Sequence, residues 1–408
     1  MAPTVCDGGS DRGAWTRSAA GIVALCFAIN MADGIDVTIL SYIAPRLQSD
    51  WRIGSAVMGQ LFGAGLVGIA IGGVLIAPLA DRFGRRPIIL AALVLMSVGM
   101  AASSAVVSPA QLLLLRIVVG AGIGTVLAAM AALAADSAPA GGRDLAVGLV
   151  QAGYPFAAVF TGLIVARLLP EYGWRVLLLG AGLVTIVLFP AAWLALPAGP
   201  AVRASRRSAR VGALFDRTFR LRTIALWSAV FFGLMVLYFI VSWIPKLAIQ
   251  AGLSETSGIY AGALYNLGAF IGTVAMSVLA LRAPLGRLVP AMLCAAAVAM
   301  LAFGSFHFST GLTLLLAFAV GVLLQGGYNG VWPLAAAAYP SEIRATGVGW
   351  AIGLGRSGAI IGPMLGGYLM DAHASSPALF SAYCVPLLAC AASAFLVARW
   401  STPEAQTI

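Results

Sequence analysis

The chain has 408 residues, of which 61% are hydrophobic and 9% charged, and its net charge is +10. That apolar excess is far beyond what the core of a soluble domain requires. A water-soluble enzyme and a disordered chain are both excluded, and a polytopic membrane protein is left.

A bilayer core about 30 Å thick takes about 20 apolar residues per helix. Twelve such stretches follow one another, at roughly 18–42, 55–80, 87–107, 110–135, 144–168, 174–197, 222–250, 257–281, 286–306, 311–337, 344–371 and 377–399. The first has full spanning length and no small-residue cleavage site, so it is expected to stay in the mature protein. It carries Asp33 and Asp36, three residues apart and therefore on one helix face. A charged turn, Leu79-Ala80-Asp81-Arg82-Phe83-Gly84-Arg85-Arg86-Pro87, joins the second stretch to the third. The fourth carries Arg116, followed by Gly120, Gly122 and Gly124, and ends at Asp136; Arg143 precedes the fifth, which holds Tyr154 beside Pro155. The seventh contains Tyr238-Phe239-Ile240-Val241-Ser242-Trp243-Ile244-Pro245, the eighth Tyr265-Asn266, and the tenth Gln325, Tyr328-Asn329 and Trp332. The eleventh opens after Tyr339-Pro340-Ser341-Glu342-Ile343-Arg344 and contains Gly353-Leu354-Gly355-Arg356-Ser357-Gly358.

The apolar pattern breaks at residues 198–221, where Pro200 and a run of arginines from Arg203 intervene. This predicts a six-helix bundle over 1–197, a basic linker over 198–221 and a second six-helix bundle over 222–408. Internal repeats agree: Gly84-Arg85 recurs as Gly286-Arg287, and Arg143-x-x-x-Val147-Gly148 as Arg344-x-x-x-Val348-Gly349. Duplication of this kind puts a substrate site at the repeat interface near mid-bilayer.

Cytoplasmic loops retain Lys and Arg. With both termini cytoplasmic, 17 of the 24 basic residues fall on that side, five on the other (Arg46, Arg52, Arg167, Arg175, Lys246), and Arg116 and Arg356 lie inside the membrane. The positive balance is therefore topological, with some attraction for anionic lipid headgroups, and no nucleic-acid partner is expected. The five cysteines show no CxxC spacing, and no HExxH, paired metal ligands or Ser-His arrangement is present. Neither a metal, a cofactor nor an enzymatic activity is expected.

An ionisable side chain at a helix centre costs about 2.5–3.5 kcal/mol on insertion scales, so it marks a wet cavity, a partner or an ion path. At about 1.5 Å per residue, Asp36 lies about 13 Å from Pro45 and Arg116 about 10 Å from Pro109, at matching depths below one surface. Arg116 is thus placed to stabilise one of the two aspartates while the other carries a proton; the spacing does not say which. The competing role is a structural bridge. Arg356 lies about 18 Å from Arg344, near the midplane. A guanidinium there presents the paired donors that fit a carboxylate; the alternative is a salt bridge between the two halves.

The Asp81-Arg82-x-Gly84-Arg85-Arg86 turn and the glycine-rich stretch after Arg116 resemble motifs of the major facilitator superfamily. That resemblance implies twelve transmembrane helices in two pseudo-symmetric bundles, alternating access, and gating roles for Asp81, Arg82, Gly84, Arg85, Arg86, Asp136, Arg143, Glu342 and Arg344. Within it, Asp33-Gly34-Ile35-Asp36, the Tyr238–Pro245 stretch and the run from Tyr339 through Arg356 to Gly362-Pro363 resemble the aromatic acid:proton symporter family. This implies a proton-coupled importer of benzoate-type or hydroxybenzoate-type carboxylates, a monomer in a bacterial-type inner membrane. An aromatic substrate needs ring surfaces and a few polar contacts. The candidates are Tyr154, Tyr238, Trp243, Tyr265, Tyr328 and Trp332, with Asn266, Gln325 and Asn329 for ring hydroxyls. Import of another small organic acid and export of drugs or organic anions stand as alternatives.

Overall fold

The computed structural model describes residues 15–139, 142–196, 211–306 and 308–400. The elements are α1 (Arg17–Trp51), α2 (Ser55–Ile71), α3 (Leu79–Phe83), α4 (Arg85–Ala102), α5 (Pro109–Ser137), α6 (Arg143–Ala195), α7 (Arg220–Gln250), α8 (Glu255–Leu279), α9 (Leu285–Ser305), α10 (Thr310–Asn329), α11 (Val331–Ala337), α12 (Ser341–Asp371) and α13 (Ser376–Trp400). No strand occurs among the described residues.

Among the described residues, ten helical stretches are long and apolar enough to cross a membrane. One of them covers two predicted spans, because α6 runs on through Gly173, whose φ of 71° breaks its helical path. The predicted eleventh span is α12, 31 residues long and made less apolar by its own charges, Arg356 among them. The molecule is therefore an all-helical membrane protein of twelve spans. Two details differ from the sequence expectation. The first span does not stop at Pro45 but continues to Trp51, ending where Arg52 turns left-handed at φ 51°; a mid-helix proline removes one i→i−4 bond without ending a helix this well packed. The tenth span is divided at Gly330 into α10 and α11. Of the predicted linker, residues 198–210 lie outside the described residues; Val211–Phe215 forms a short 3₁₀ turn whose Leu214 carbonyl accepts from Thr223.

Close helix crossings explain the wealth of glycine, and they repeat in the two halves. On α2 and α5, a methyl group on Gly68, Gly72, Gly120 or Gly124 would collide with the backbone of the facing helix, and the same holds for Gly268, Gly272 and Gly321 between α8 and α10. α1 crosses α6 at Gly34 against Tyr154, and α12 crosses α7 at Gly358 and Gly362 against Phe231 and Met235. Without a hydrophobic driving force between helices in lipid, such small-residue contacts supply the association energy.

The halves meet on the face that carries the α1–α2, α7–α8 and α12–α13 loops. α2 packs on α12, α6 on α8 and α1 on α7. Asp371, at the end of α12, receives the backbone N–H groups of Ser55 (2.6 Å) and Ala56 (2.9 Å), capping the start of α2. Lys246 donates to Gln48 and to the Ser55 hydroxyl, each at 2.7 Å, and Gln60 donates to Tyr368 at 2.8 Å. Ser41 donates to the carbonyls of Val241 and Ser242, each at 2.8 Å. On the opposite face Val74 and Leu75 of the π-turn that extends α2 are 68% and 65% exposed, and Trp350 and Leu354 of α12 are exposed as well. At that end α3 packs closely only on its own half and so does α11, so among the described residues the structure is shut at the loop face and open at the other.

Hydrogen bonds to a charged group contribute about 1.5–3 kcal/mol each, and each 1.4 kcal/mol is about tenfold in a population. Asp371→Ala is therefore expected to add a longer component to the distance distribution between spin labels at Arg52 and Ala372. An unchanged distribution would show that Asp371 does not hold this face closed.

Candidate functional site

α1 presents a polar stripe inside its apolar length: Asn30, Asp33 and Asp36, all buried. Asn30 donates to the Val150 carbonyl at 2.6 Å, which fixes α1 against α6. The Gly34–Tyr154 crossing then sets Asp33 beside Tyr154. Asp36 forms an ion pair of 2.6 Å with Nη1 of Arg116, and the two side chains are 6% and 2% exposed. Burial this deep makes the pair strongly interdependent, since either charge alone in a low-dielectric interior is costly.

The two aspartates have different surroundings. Asp33 Oδ1 has no hydrogen-bond partner, and no cation lies within ion-pair distance of Asp33 among the described residues. The charge it does sense, besides Asp36, is Arg356 across the interface. Arg356 is partly exposed on α12, opposite Asp33, and interacts with the Tyr238 hydroxyl. Gly355 and Gly358 pack this turn of α12 onto α7, while Gly353 faces open space.

A ring of phenols surrounds these charges. Tyr238, Tyr265 and Tyr42 all neighbour Tyr154, and Tyr328 adjoins Tyr238 and Arg356. Tyr154 and Tyr238 are partly exposed. Tyr265 and Tyr328 are sealed, and their hydroxyls find no partner. Asn266 donates to the Gly262 carbonyl at 2.9 Å and reaches Tyr42 at 3.5 Å, while the Tyr42 hydroxyl donates to the Ala158 carbonyl at 3.0 Å. Tyr42 and Asn30 were not singled out by sequence, although polar residues at 30, 33 and 36 in an apolar helix are a readable signal.

Other candidates fall away from this centre. Trp243 is fully buried in the seam, its ring edge-on to Phe62 and its N–H on the Pro363 carbonyl at 2.9 Å, so it offers a ligand no surface in this state. Asn329 donates to Thr273 at 2.6 Å and accepts from Gln325 at 3.3 Å, a network that ties α10 to α8. Trp332 stands on α11, edge-on to Tyr328.

The gating candidates cluster at the open face. Gly84, at φ 91°, makes the turn that a residue with a side chain would strain. Arg85 pairs with Asp136 at 2.6 Å, joining α4 to the end of α5, and Arg86 lies over the Trp193 ring at 5.0 Å. Arg82 sits over Phe83, and Arg143 is exposed; the Asp81 side chain lies outside the described residues. Arg344 donates to the Tyr339 carbonyl at 3.3 Å, and Glu342 is exposed in the first turn of α12.

Two bundles of six spans around a central Asp and Arg cluster are the architecture of a secondary transporter. The family model for the Major Facilitator Superfamily matches residues 26–355. The chain belongs to the major facilitator superfamily. A gallate transporter of Pseudomonas putida is 29% identical over 402 residues, covering 91% of this chain and 90% of its own. A 4-hydroxybenzoate transporter of Pseudomonas aeruginosa is 30% identical over 383 residues, 86% of each chain. A 3-(3-hydroxy-phenyl)propionate transporter of Escherichia coli is 28% identical, covering 92% of this chain and 93% of its own. These relatives bear out the resemblance to the aromatic acid:proton symporter family. Among solved structures, a bacterial homolog of the human lysosomal transporter Spinster, inward-facing and occupied, aligns with a TM-score of 0.78 at 19% identity, covering 96% of this chain and 99% of its own. A D-xylose-proton symporter aligns at 0.73 and 17% identity, covering 95% and 99%. This facilitator is thus a multi-pass membrane transporter and not an enzyme.

Proposed function

We propose that this facilitator imports an aromatic carboxylate of the benzoate or hydroxybenzoate type together with protons. The observation that carries the reading is Arg356, partly exposed at mid-membrane, among phenols, opposite a carboxyl that has no ion-pair partner. The guanidinium takes the substrate carboxylate; Tyr154 and Tyr238 flank the ring; Asn266 with Tyr42 reads ring substituents. The names of the relatives, gallate, 4-hydroxybenzoate and 3-(3-hydroxy-phenyl)propionate transporters, support this class.

Asp33 is the carboxyl assigned to the proton. Asp36 already shares its charge with Arg116, whereas a charge on Asp33 is uncompensated by any hydrogen bond at Oδ1. With both termini cytoplasmic, as the arginine distribution favours, the open face is the cytoplasmic one and the structure is inward-facing. One proton per monoanion moves no net charge, whereas a second adds about 2.3 kcal/mol per 100 mV of membrane potential.

The test is uptake of labelled 4-hydroxybenzoate and benzoate into proteoliposomes under an acid-outside pH gradient, with empty liposomes correcting for permeation of the neutral acids. Accumulation that requires protein and collapses with the gradient is expected. Equal uptake with and without the gradient would overturn proton coupling, and failure of every aromatic acid while other carboxylates are taken up would overturn the substrate class.

A further inference from the structure

The clasp on the shut face contains two opposite charges that do not meet. Lys246 near the end of α7 and Asp371 at the end of α12 belong to the same half, and both are held by one residue of the other half, Ser55. The Ser55 N–H donates to Asp371 at 2.6 Å, and its side-chain oxygen accepts from Lys246 at 2.7 Å, with the hydroxyl also facing Asp371. The two charges sense each other, yet they are not among the ion pairs of the described residues. Ser55 stands between them as a wedge.

The charges and the wedge sit on different bodies. α7 and α12 are fixed to each other by Gly358 against the Phe231 backbone, Gly362 against the Met235 backbone and Gly366 against the Phe239 ring, so Lys246 and Asp371 travel together. Ser55 is carried by α2 of the opposite half and leaves with it when the loop face opens. At that moment Asp371 loses the N–H groups of Ser55 and Ala56, and Lys246 loses Gln48 and the Ser55 hydroxyl. Bonds to charged groups are about twice as strong as neutral ones, so both side chains fall short of partners at once. Lys246 is the only lysine among the 24 basic residues, and its ammonium lies 5.4 Å from the Trp243 ring centre. A flexible stem with three rotatable donors suits a group that must change partners, where a rigid guanidinium fork does not. We infer that Lys246 and Asp371 form a latent ion pair of this half, kept apart by Ser55 while the loop face is shut and closing on each other when α2 withdraws. The opened state then leaves neither charge alone, and part of what the broken clasp costs is offset within one half. This device acts on the opening of the loop face and is independent of which substrate is carried.

Zero-length carbodiimide coupling reads the pair directly, because it joins an amine only to a carboxyl in contact with it, and a single lysine limits the products. The seam can be pried apart without touching either charge. A Cβ on Gly59 would stand 2.7 Å from the Pro363 carbonyl oxygen, so Gly59→Leu pushes α2 away from α12. Spin labels at Arg52 and Ala372, on separate samples, report the open fraction. The Lys246–Asp371 amide, found by mass spectrometry, is expected to be scarce in the wild-type protein and to rise with that fraction in Gly59→Leu. An opened face with no gain in the amide overturns the pair. The charge swap Lys246→Asp/Asp371→Lys decides the matter if Gly59→Leu does not fold or does not open. It removes the clasp and keeps the pair, whereas Asp371→Lys alone sets two ammonium groups side by side. The open fraction of the swap is therefore expected to exceed that of Asp371→Lys by about threefold, the range of a solvated ion pair. Equal open fractions in these two variants overturn the pair as well.

Discussion

Arg356→Ala is expected to abolish saturable binding of 4-hydroxybenzoate, read by scintillation proximity on purified protein, and with it both exchange and accumulation. Removing one partner of a desolvated, hydrogen-bonded charge pair costs about 2–5 kcal/mol, which at about 1.4 kcal/mol per tenfold is a loss of roughly 30-fold to several thousand-fold in affinity. Arg356→Lys is a sharper version. It keeps the charge and loses the planar fork, so affinity is expected to fall at least tenfold while folding is preserved. The competing role is a bridge across the interface to Asp33, the acid whose field Arg356 senses. A bridge would make the alanine variant less stable and leave substrate affinity intact. Normal affinity with a lowered melting temperature would therefore reassign Arg356 to the scaffold.

The parts of this centre that were legible in the sequence are those that depth along a helix determines. Asp36 and Arg116 were matched by counting residues from Pro45 and Pro109, and the structure pairs them at 2.6 Å. That success did not depend on the helix end being right, since α1 runs on to Trp51; both counts were made from the same surface, so the relative depth survived. The inequality of Asp33 and Asp36 was not legible. Three residues along a helix keep two side chains on one face, but which meets α5 and which looks across to α12 depends on the packing rotation of α1. That rotation is set by the Gly34–Tyr154 crossing and by Asn30 on Val150. Nor does composition separate a tryptophan that stacks on a ligand from one that seals a seam. Trp243 has the aromatic surface a substrate needs, and Phe62 and the Pro363 carbonyl use it instead. Asp371 was unreadable for a related reason: at the end of a span it looks like any loop acid, and only the start of α2 opposite makes it a clasp.

The alternating-access reading turns on whether these contacts can be exchanged without unfolding the halves. Within each half, α2 on α5 and α8 on α10 are locked backbone to backbone by glycine, so they move as units. Between the halves there are polar bonds, among them those of Asp371, Lys246, Gln60 and Ser41, together with close glycine approaches of α2 and α12, Gly59 against the Pro363 backbone and Gly367 against the Ser55 backbone. Such bonds can be traded for water at the loop face when that face opens. The crossings inside each half face lipid if they part, so they stay, whereas the α2–α12 approach at Gly59 and Gly367 lies in the seam that opens.

The same contrast makes the Asp36–Arg116 pair the second large test. Both partners lie in one half, on α1 and α5, and both are buried. Arg116→Leu strands a carboxylate there, and breaking a buried pair in this way costs about 3–5 kcal/mol, whereas replacing both partners is often close to neutral. The single variant is expected to melt well below the wild-type protein in detergent. The double variant Asp36→Asn/Arg116→Gln is expected to recover most of that loss and, with it, substrate exchange. Accumulation driven by the pH gradient should not return, because the anchored charge beside Asp33 is gone. Asp33→Asn is the complement: it removes no ion pair, so the melting temperature should change little, and accumulation should fall more than exchange. A double variant that accumulates substrate like the wild-type protein would make the pair purely structural. Equal melting of Arg116→Leu and wild-type protein would mean that Asp36 sheds its charge when the arginine is lost, which places a second protonatable carboxyl in the centre and, with it, the stoichiometry that draws on membrane potential.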